Sequence, residues 1–295
     1  MKAAPRNRWA VLAVPWAWLG AFFALPLAVV LAISLADPVT GIPPYSQILV
    51  WPSGGLPRFL GDFEKYALLL ADPYYRDGLV GAVGIASGAT ALCLALGYPM
   101  ALAIVRAPTA WRAALLLLVM VPFWTSFLIR IYAWMAILNT NGLANQILLA
   151  LGLTDRPLAL LYTDFAVYIG IVYAYLPFMV LPVYAVLDRI DPALLEAASD
   201  LGARPLRAFL SVTLPLSFSG IFAGCLLVFV PALGEFVVPE LLGGSDFLMI
   251  GRLLWTESFQ NRDWPMAAAI AIVVLLIVVV PVMLLQRRME REGRA

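Results

Sequence analysis

An all-α integral membrane protein with six transmembrane helices is the fold class that this 295-residue sequence predicts, on three observations. Hydrophobic residues make up 63% of the chain and charged residues 13%, against about 45–50% and about 25% in soluble domains. Apolar runs long enough to cross about 30 Å of hydrocarbon, roughly 20 residues each, fall near 10–35, 79–105, 113–137, 164–187, 217–242 and 266–286. Lysine and arginine are unevenly shared between the connecting segments. With both termini inside, twelve of the nineteen fall on the cytoplasmic side, including Lys2, Arg6, Arg8, Arg106, Arg112, Arg189, Arg204, Arg207, Arg287, Arg288, Arg291 and Arg294, as the positive-inside rule requires. Acidic residues run the other way, so the outer face is net negative. That suits a cationic solute or a basic partner surface, and equally reflects simple charge sorting.

The first run follows Lys2, Arg6 and Arg8 and ends at the small residues Ser34-Leu35-Ala36, as a signal peptide does. It is longer than the roughly 7–15 apolar residues of a signal core, so a retained anchor is expected. The extracytoplasmic loop 36–78 is rich in proline and aromatics (Pro38, Pro43, Pro44, Tyr45, Trp51, Pro52, Pro57, Tyr74, Tyr75) and is expected to cap the outer face. In the second run Gly84, Gly88, Cys93 and Gly97 are expected to serve packing, and Arg106 and Arg112 to anchor the turn that follows. The 138–163 loop carries Asn139, Asn141, Gly142 and Asn145 and an amphipathic stretch at Leu143–Leu153. Asp263, Trp264 and Pro265 open the last span as cap, interfacial aromatic and first-turn proline.

The fifth run contains the close-packing pair Gly220 and Gly224. Gly224, Val228, Pro231, Glu235 and Pro239 then recur at helical steps. Read as one helix, the run places Glu235 about 27 Å from its cytoplasmic start, in the outer part of the membrane. An ionisable residue there is expected to face the interior and to have a partner. A solute ammonium group is one candidate, and Arg130 at the outer end of the third span is the other. Phe236 beside it, and Glu240, Trp255, Glu257 and Asp263 near the outer rim, are further pathway candidates, which can also receive a binding protein or simply be solvated.

The cytoplasmic loop 188–215 is the most informative segment. Asp191-Pro192 is a strong helix start, the helix runs through Glu196, Ala197 and Ala198 to Leu201, and Gly202 permits a sharp reversal. Arg204-Pro205 restarts a helix carrying Leu206, Phe209, Leu210 and Val212 before Leu214-Pro215. Small residues at Ala197 and Ala198 allow close approach of another surface, with Glu196 and Asp200 on one edge. From the residues alone, this is either a docking element or an ordinary interfacial loop.

The pattern Glu196-Ala197-Ala198, three residues, Gly202, nine residues, Val212, one residue, Leu214-Pro215 resembles the signature loop of the membrane permeases of ATP-binding-cassette importers, with Val212 where isoleucine is commoner. Further stretches resemble the putrescine/spermidine branch: 122–130, 167–179, 232–244, Met249-Ile250-Gly251-Arg252 and Asn261-Arg262-Asp263-Trp264-Pro265. The resemblance implies a type I importer permease fold in a bacterial inner membrane. It also implies coupling to a cytoplasmic ATPase through Glu196, Ala197, Ala198, Asp200, Gly202, Leu214 and Pro215. The partners it implies are an ATPase dimer, a second permease and an extracytoplasmic solute-binding protein, with membrane lipid around the chain and a small cationic solute as cargo.

Several function classes are excluded or disfavoured. Cys93 and Cys225 lie in apolar runs and histidine is absent, which argues against a disulfide framework or a Cys/His metal site. Neither lysine, Lys2 or Lys65, follows a glycine, so the chain holds no phosphate loop. ATP and magnesium, if used, belong to the partner ATPase, and this subunit is expected to be neither an enzyme nor a binder of a cofactor or nucleic acid. An importer permease for another small solute, a stand-alone secondary transporter or channel, and a non-transporting scaffold remain alternatives.

Overall fold

The computed structural model describes residues 8–50, 58–244 and 247–292. Lys2, Arg6, Trp51, Pro52, Pro57 and Arg294 lie outside the described residues. The architecture is helical. Strand pairing among the described residues is confined to the 36–78 loop, where β1 (Leu49–Val50) pairs antiparallel with β2 (Arg58–Phe59) and Pro38 bridges Tyr45.

Four helices are each long and apolar enough to cross a membrane: Leu12–Ser34, Pro73–Arg106, Asp164–Leu187 and Trp264–Leu284. Two further spans arise only if bent pairs count as one, Thr109–Trp124 with Phe127–Ala150 at 87° and Pro205–Leu216 with Phe218–Leu233 at 63°. The third expected run, 113–137, is therefore interrupted, while the 63° bend falls at the start of the fifth, 217–242. Pro122 sits in a 3₁₀ turn at Val121–Trp124, and Pro215 follows a π-turn at Phe209–Thr213; each proline removes a ladder donor where the chain turns.

Contacts divide the chain into two compact units, Met1–Arg76 with Leu253–Ala295, and Asp77–Arg252. In the first, α1 (Arg8–Leu19) passes through a π-turn into α2 (Leu25–Ser34), which packs on α15 (Trp264–Glu292). Between them in sequence, α3 (Glu64–Ala71) also reaches α15. Ser34, fully buried, shares a 2.6 Å hydrogen bond with the Tyr66 hydroxyl. The Lys65 ammonium donates to Asp37 at 3.2 Å and Asp62 at 3.3 Å. Burial opposes the charge on Lys65, but these bonds outweigh it and hold its pKa above the ordinary lysine value. Burial likewise opposes the charge on Asp62, yet the Glu64 amide and Lys65 hold its pKa below the usual carboxylate value.

The second unit is built on α4 (Pro73–Arg106), of which all but the first turn belongs here, and α8 (Asp164–Leu187). Around them lie α5 (Thr109–Met120), α6 (Phe127–Leu138) and α7 (Leu143–Ala150). The chain continues as α9 (Pro192–Asp200), α10 (Pro205–Ala208), α11 (Leu214–Leu216), α12 (Phe218–Leu233), α13 (Val237–Leu242) and α14 (Ile250–Trp255), of which only the part up to Arg252 belongs here. Lipid tails are as apolar as leucine, so close packing rather than apolarity holds such helices together. The glycines show where. A Cβ on Gly220 would lie 2.8 Å from the Pro182 carbonyl oxygen and one on Gly224 2.7 Å from Met179 Sδ, so α12 lies nearly backbone-to-backbone on α8. Gly97 of α4 is equally tight against Met179, at 2.9 Å. Gly88 packs on Tyr168, whereas a Cβ on Gly84 would meet nothing within 4 Å among the described residues.

Away from these contacts the loops are pinned by side chains. Asn145 of α7 ties the 138–163 loop by exchanging hydrogen bonds with Leu158, donating at 2.9 Å and accepting at 2.9 Å. Arg112 donates to Asp188 at 2.8 Å, fastening the turn after α4 to the exit of α8.

Candidate functional site

Two features carry functional chemistry, and both lie in the second unit. The first is the 188–217 segment. The Asp191 carboxylate accepts from the Ala193 amide at 2.9 Å, and Pro192 occupies the first helical position where no donor is missed. At the other end Gly202 stands at φ +80. Its amide donates to Ser199 at 2.8 Å and that of Ala203 to Ala198 at 3.0 Å, the paired bonds of a Schellman turn. Both ends of α9 are thus closed by local sequence, and the helix keeps its shape without burying a face. Glu196, Ala197, Asp200 and Gly202 are exposed, Ala198 is half-buried, and Leu201 is 89% exposed.

Leu194, Leu206 and Leu210 add to this apolar exposure. The segment then enters a π-turn, and Leu214-Pro215 leads to Ser217, where the chain bends by 63° into α12. Ser217 is fully buried; its hydroxyl donates to the Leu214 carbonyl and pairs with the Tyr98 hydroxyl, both at 3.0 Å.

The second feature is Glu235. The expected continuous helix through it is not what forms: α12 ends at Leu233, and Glu235 lies in a break before α13. Its Oε1 accepts from the amides of Val237 at 3.0 Å and Val238 at 3.4 Å, and its Oε2 accepts from the Tyr175 hydroxyl of α8. A carboxylate that can satisfy the orphan amides of a new helix favours the break. The break is held close to α14, since a Cβ on Gly251 would lie 2.6 Å from the carbonyl oxygens of Gly234 and Glu235. Gly170 admits Val238 and Leu242 to α8 in the same way, at 2.7 Å each.

Glu235 is 8% exposed, and no ion pair to it is found among the described residues. The expected alternative partner, Arg130, is instead held between the rings of Phe123 and Phe127 at 5.9 and 5.6 Å, its Nε without a hydrogen-bond partner. Phe178 lies 6.1 Å from Tyr175 and 5.3 Å from Phe123, so an aromatic cluster joins the two charged groups.

The remaining pathway candidates divide. Phe236 lies half-buried beside Glu235. Glu240 is exposed and ion-paired with Arg252 at 3.1 Å, and Arg252 also donates to the Gly244 carbonyl at 3.1 Å. Trp255 and Asp263 belong to the other unit. There Trp255 stacks on Phe259 at 4.3 Å, and Asp263 caps α15 through the Met266 amide at 2.8 Å. In that unit Glu257 is buried, accepting from Tyr75 and Asn261 at 2.9 Å each. No group of His, Cys, Asp and Glu suited to a metal ion occurs among the described residues.

Tyr175, Tyr98 and Ser217 escape sequence reasoning because their signal is ordinary. Each is a hydroxyl in an apolar run, and only the packing of α8 on the break and of α4 on the bend gives it a partner.

Similarity to known proteins bears on these features. The family model described as "Binding-protein-dependent transport system inner membrane component" matches residues 93–292. The spermidine/putrescine transport system permease protein PotB of Escherichia coli is 46% identical over 209 residues, 71% of this chain and 76% of that one. The protein of the same name from Haemophilus influenzae is 38% identical over 261 residues, 88% of this chain and 86% of that one. A crystal structure of a bacterial ABC transporter that imports the acidic polysaccharide alginate aligns with TM-score 0.64 at 19% identity, over 96% of this chain and 94% of that one. That last likeness concerns the fold.

Proposed function

Because this chain belongs to the binding-protein-dependent transport system inner membrane component family, as a multi-pass permease of the bacterial inner membrane and not itself an enzyme, we propose that it is the membrane subunit of an ATP-driven polyamine importer. A second permease, a cytoplasmic ATPase dimer that binds ATP and magnesium, and an extracytoplasmic binding protein complete the assembly. Putrescine or spermidine as solute is supported by the identity to the PotB proteins and by a buried acidic group for a cationic cargo.

The observation that carries the coupling role is α9 with its Gly202 turn, a short helix closed at both ends yet exposed along its length. A rigid exposed knob conveys displacement, whereas a frayed one absorbs it. The segment 188–215 lies on the cytoplasmic side with both termini. ATP-driven closure of the ATPase pair moves Glu196, Ala197, Ala198, Asp200 and Gly202 together, and Leu214-Pro215 passes the motion to α12. At the far end of α12 the Glu235 break changes its surroundings and admits solute. The carboxylate meets an ammonium group, and the rings of Tyr175, Phe178 and Phe236 supply cation-attracting faces. Within the same unit the exposed Glu240 adds a second acidic group beyond the break. ATP must favour the outward state by a differential binding energy for this cycle to turn.

Reconstitution tests the reading. Vesicles holding the permease pair and ATPase, supplied with binding protein and radiolabelled putrescine or spermidine, should accumulate label only with ATP. Uptake that persists without ATP and follows an ion gradient would overturn it.

A further inference from the structure

The geometry points to Tyr98 as the positioning residue that ties the bend of the coupling segment to α4, an inference that rests on the coupling role proposed above. Tyr98 is buried and meets the segment twice. Its ring lies edge-on to Phe209 at 5.8 Å, where the π-turn begins, and its hydroxyl pairs with Ser217 at 3.0 Å, where the 63° bend occurs. One side chain therefore spans the stretch in which the backbone ladder is irregular, between a π-turn and the Pro215 that lacks a donor.

Irregular backbone bends easily, so motion entering from α9 would be lost there unless something outside the segment fixed both ends of it. Tyr98 does so from a helix that is itself held: Gly97 beside it is in close contact with Met179 of α8. α4 is 34 residues long, about 50 Å at 1.5 Å per residue, and its Gly81 approaches the Leu248 carbonyl, with 3.2 Å for a built Cβ. The bend thus has a mechanical route through α4 to the residues just before α14, parallel to the route through α12 to Glu235.

The test separates positioning from simple stability. Tyr98→Phe keeps the ring on Phe209 and removes only the hydroxyl, and Ser217 keeps its bond to Leu214, so little is left unsatisfied. In the reconstituted complex, ATP hydrolysis and assembly should stay near wild type while solute taken up per ATP falls roughly five-fold, the scale of one buried hydrogen bond. Ser217→Ala removes the Leu214 bond as well and should lower the ratio at least as far, and the double variant should be no worse than Ser217→Ala alone, because the interaction between the two hydroxyls can be lost only once. An unchanged ratio, a proportional fall in both activities, or additive losses in the double variant would overturn the inference. Failure of the coupling reading itself looks different: wild-type uptake would then show no dependence on ATP.

Discussion

The Tyr175 hydroxyl donates to the Glu235 carboxylate across the α8–α13 contact, while the other carboxylate oxygen holds the first amides of α13. The residue is thus a helix cap and a buried negative charge at once. Glu235→Gln separates the two roles, since its amide oxygen still accepts from Val237 and Val238 but the charge is gone. Assembly should be preserved and the KM for polyamine uptake raised about ten-fold, corresponding to about 1.4 kcal/mol. Unchanged uptake kinetics would make the carboxylate structural.

Gly202 is exposed and has open space around a built Cβ, so any defect on substitution comes from backbone conformation alone. At φ +80 a β-branched residue costs at least about 1–2 kcal/mol, and relaxing that strain undoes the Schellman turn. Gly202→Val should uncouple ATP hydrolysis from uptake or block binding of the ATPase, with the spans intact by circular dichroism. Normal transport in this variant would refute the docking role.

Gly220→Ala probes the opposite situation, a site where space rather than φ is limiting. The new Cβ would meet a backbone oxygen, that of Pro182, at 2.8 Å, and backbone cannot swing aside. A loss of about 1–3 kcal/mol is expected, read as a lower melting temperature of the detergent-solubilised protein, with Gly84→Ala as the neutral control.

The Lys65 cluster sets a pH window. Its raised pKa means that its stabilising contribution is complete below the ordinary value of 10.5 and is lost as pH climbs through the folded value. The lowered pKa of Asp62 makes its contribution complete above 3.8 and lost on acidification. The melting-temperature difference between wild type and Lys65→Met should therefore be flat near neutrality and shrink toward both extremes. A difference that stays constant at both extremes would show that the ion pairs contribute nothing.

Local chemistry was legible in the sequence. Asp191, Pro192 and Gly202 close α9 through neighbours no more than five residues away, and Asp263 caps α15 as its position before Trp264-Pro265 implies. The close-packing role of Gly220 and Gly224 was equally readable, because small residues four apart have few other uses in an apolar helix. Hydropathy located the apolar runs but not the break within the third, since Pro122 sits in sequence as apolar as an unbroken helix.

By itself, then, the sequence determined that this chain lives in a membrane, where its apolar runs lie, and that a small-residue helix with a glycine turn interrupts them. Those properties depend on composition and on bonds between near neighbours. The tertiary structure alone decided that Glu235 caps a broken helix and takes Tyr175 rather than Arg130 as its partner, and that Tyr98 reaches Ser217. Residues 60 and 119 positions apart in those bonds meet only because glycine-lined helix contacts set the spacing of α4, α8, α12 and α13, and no local pattern encodes that spacing.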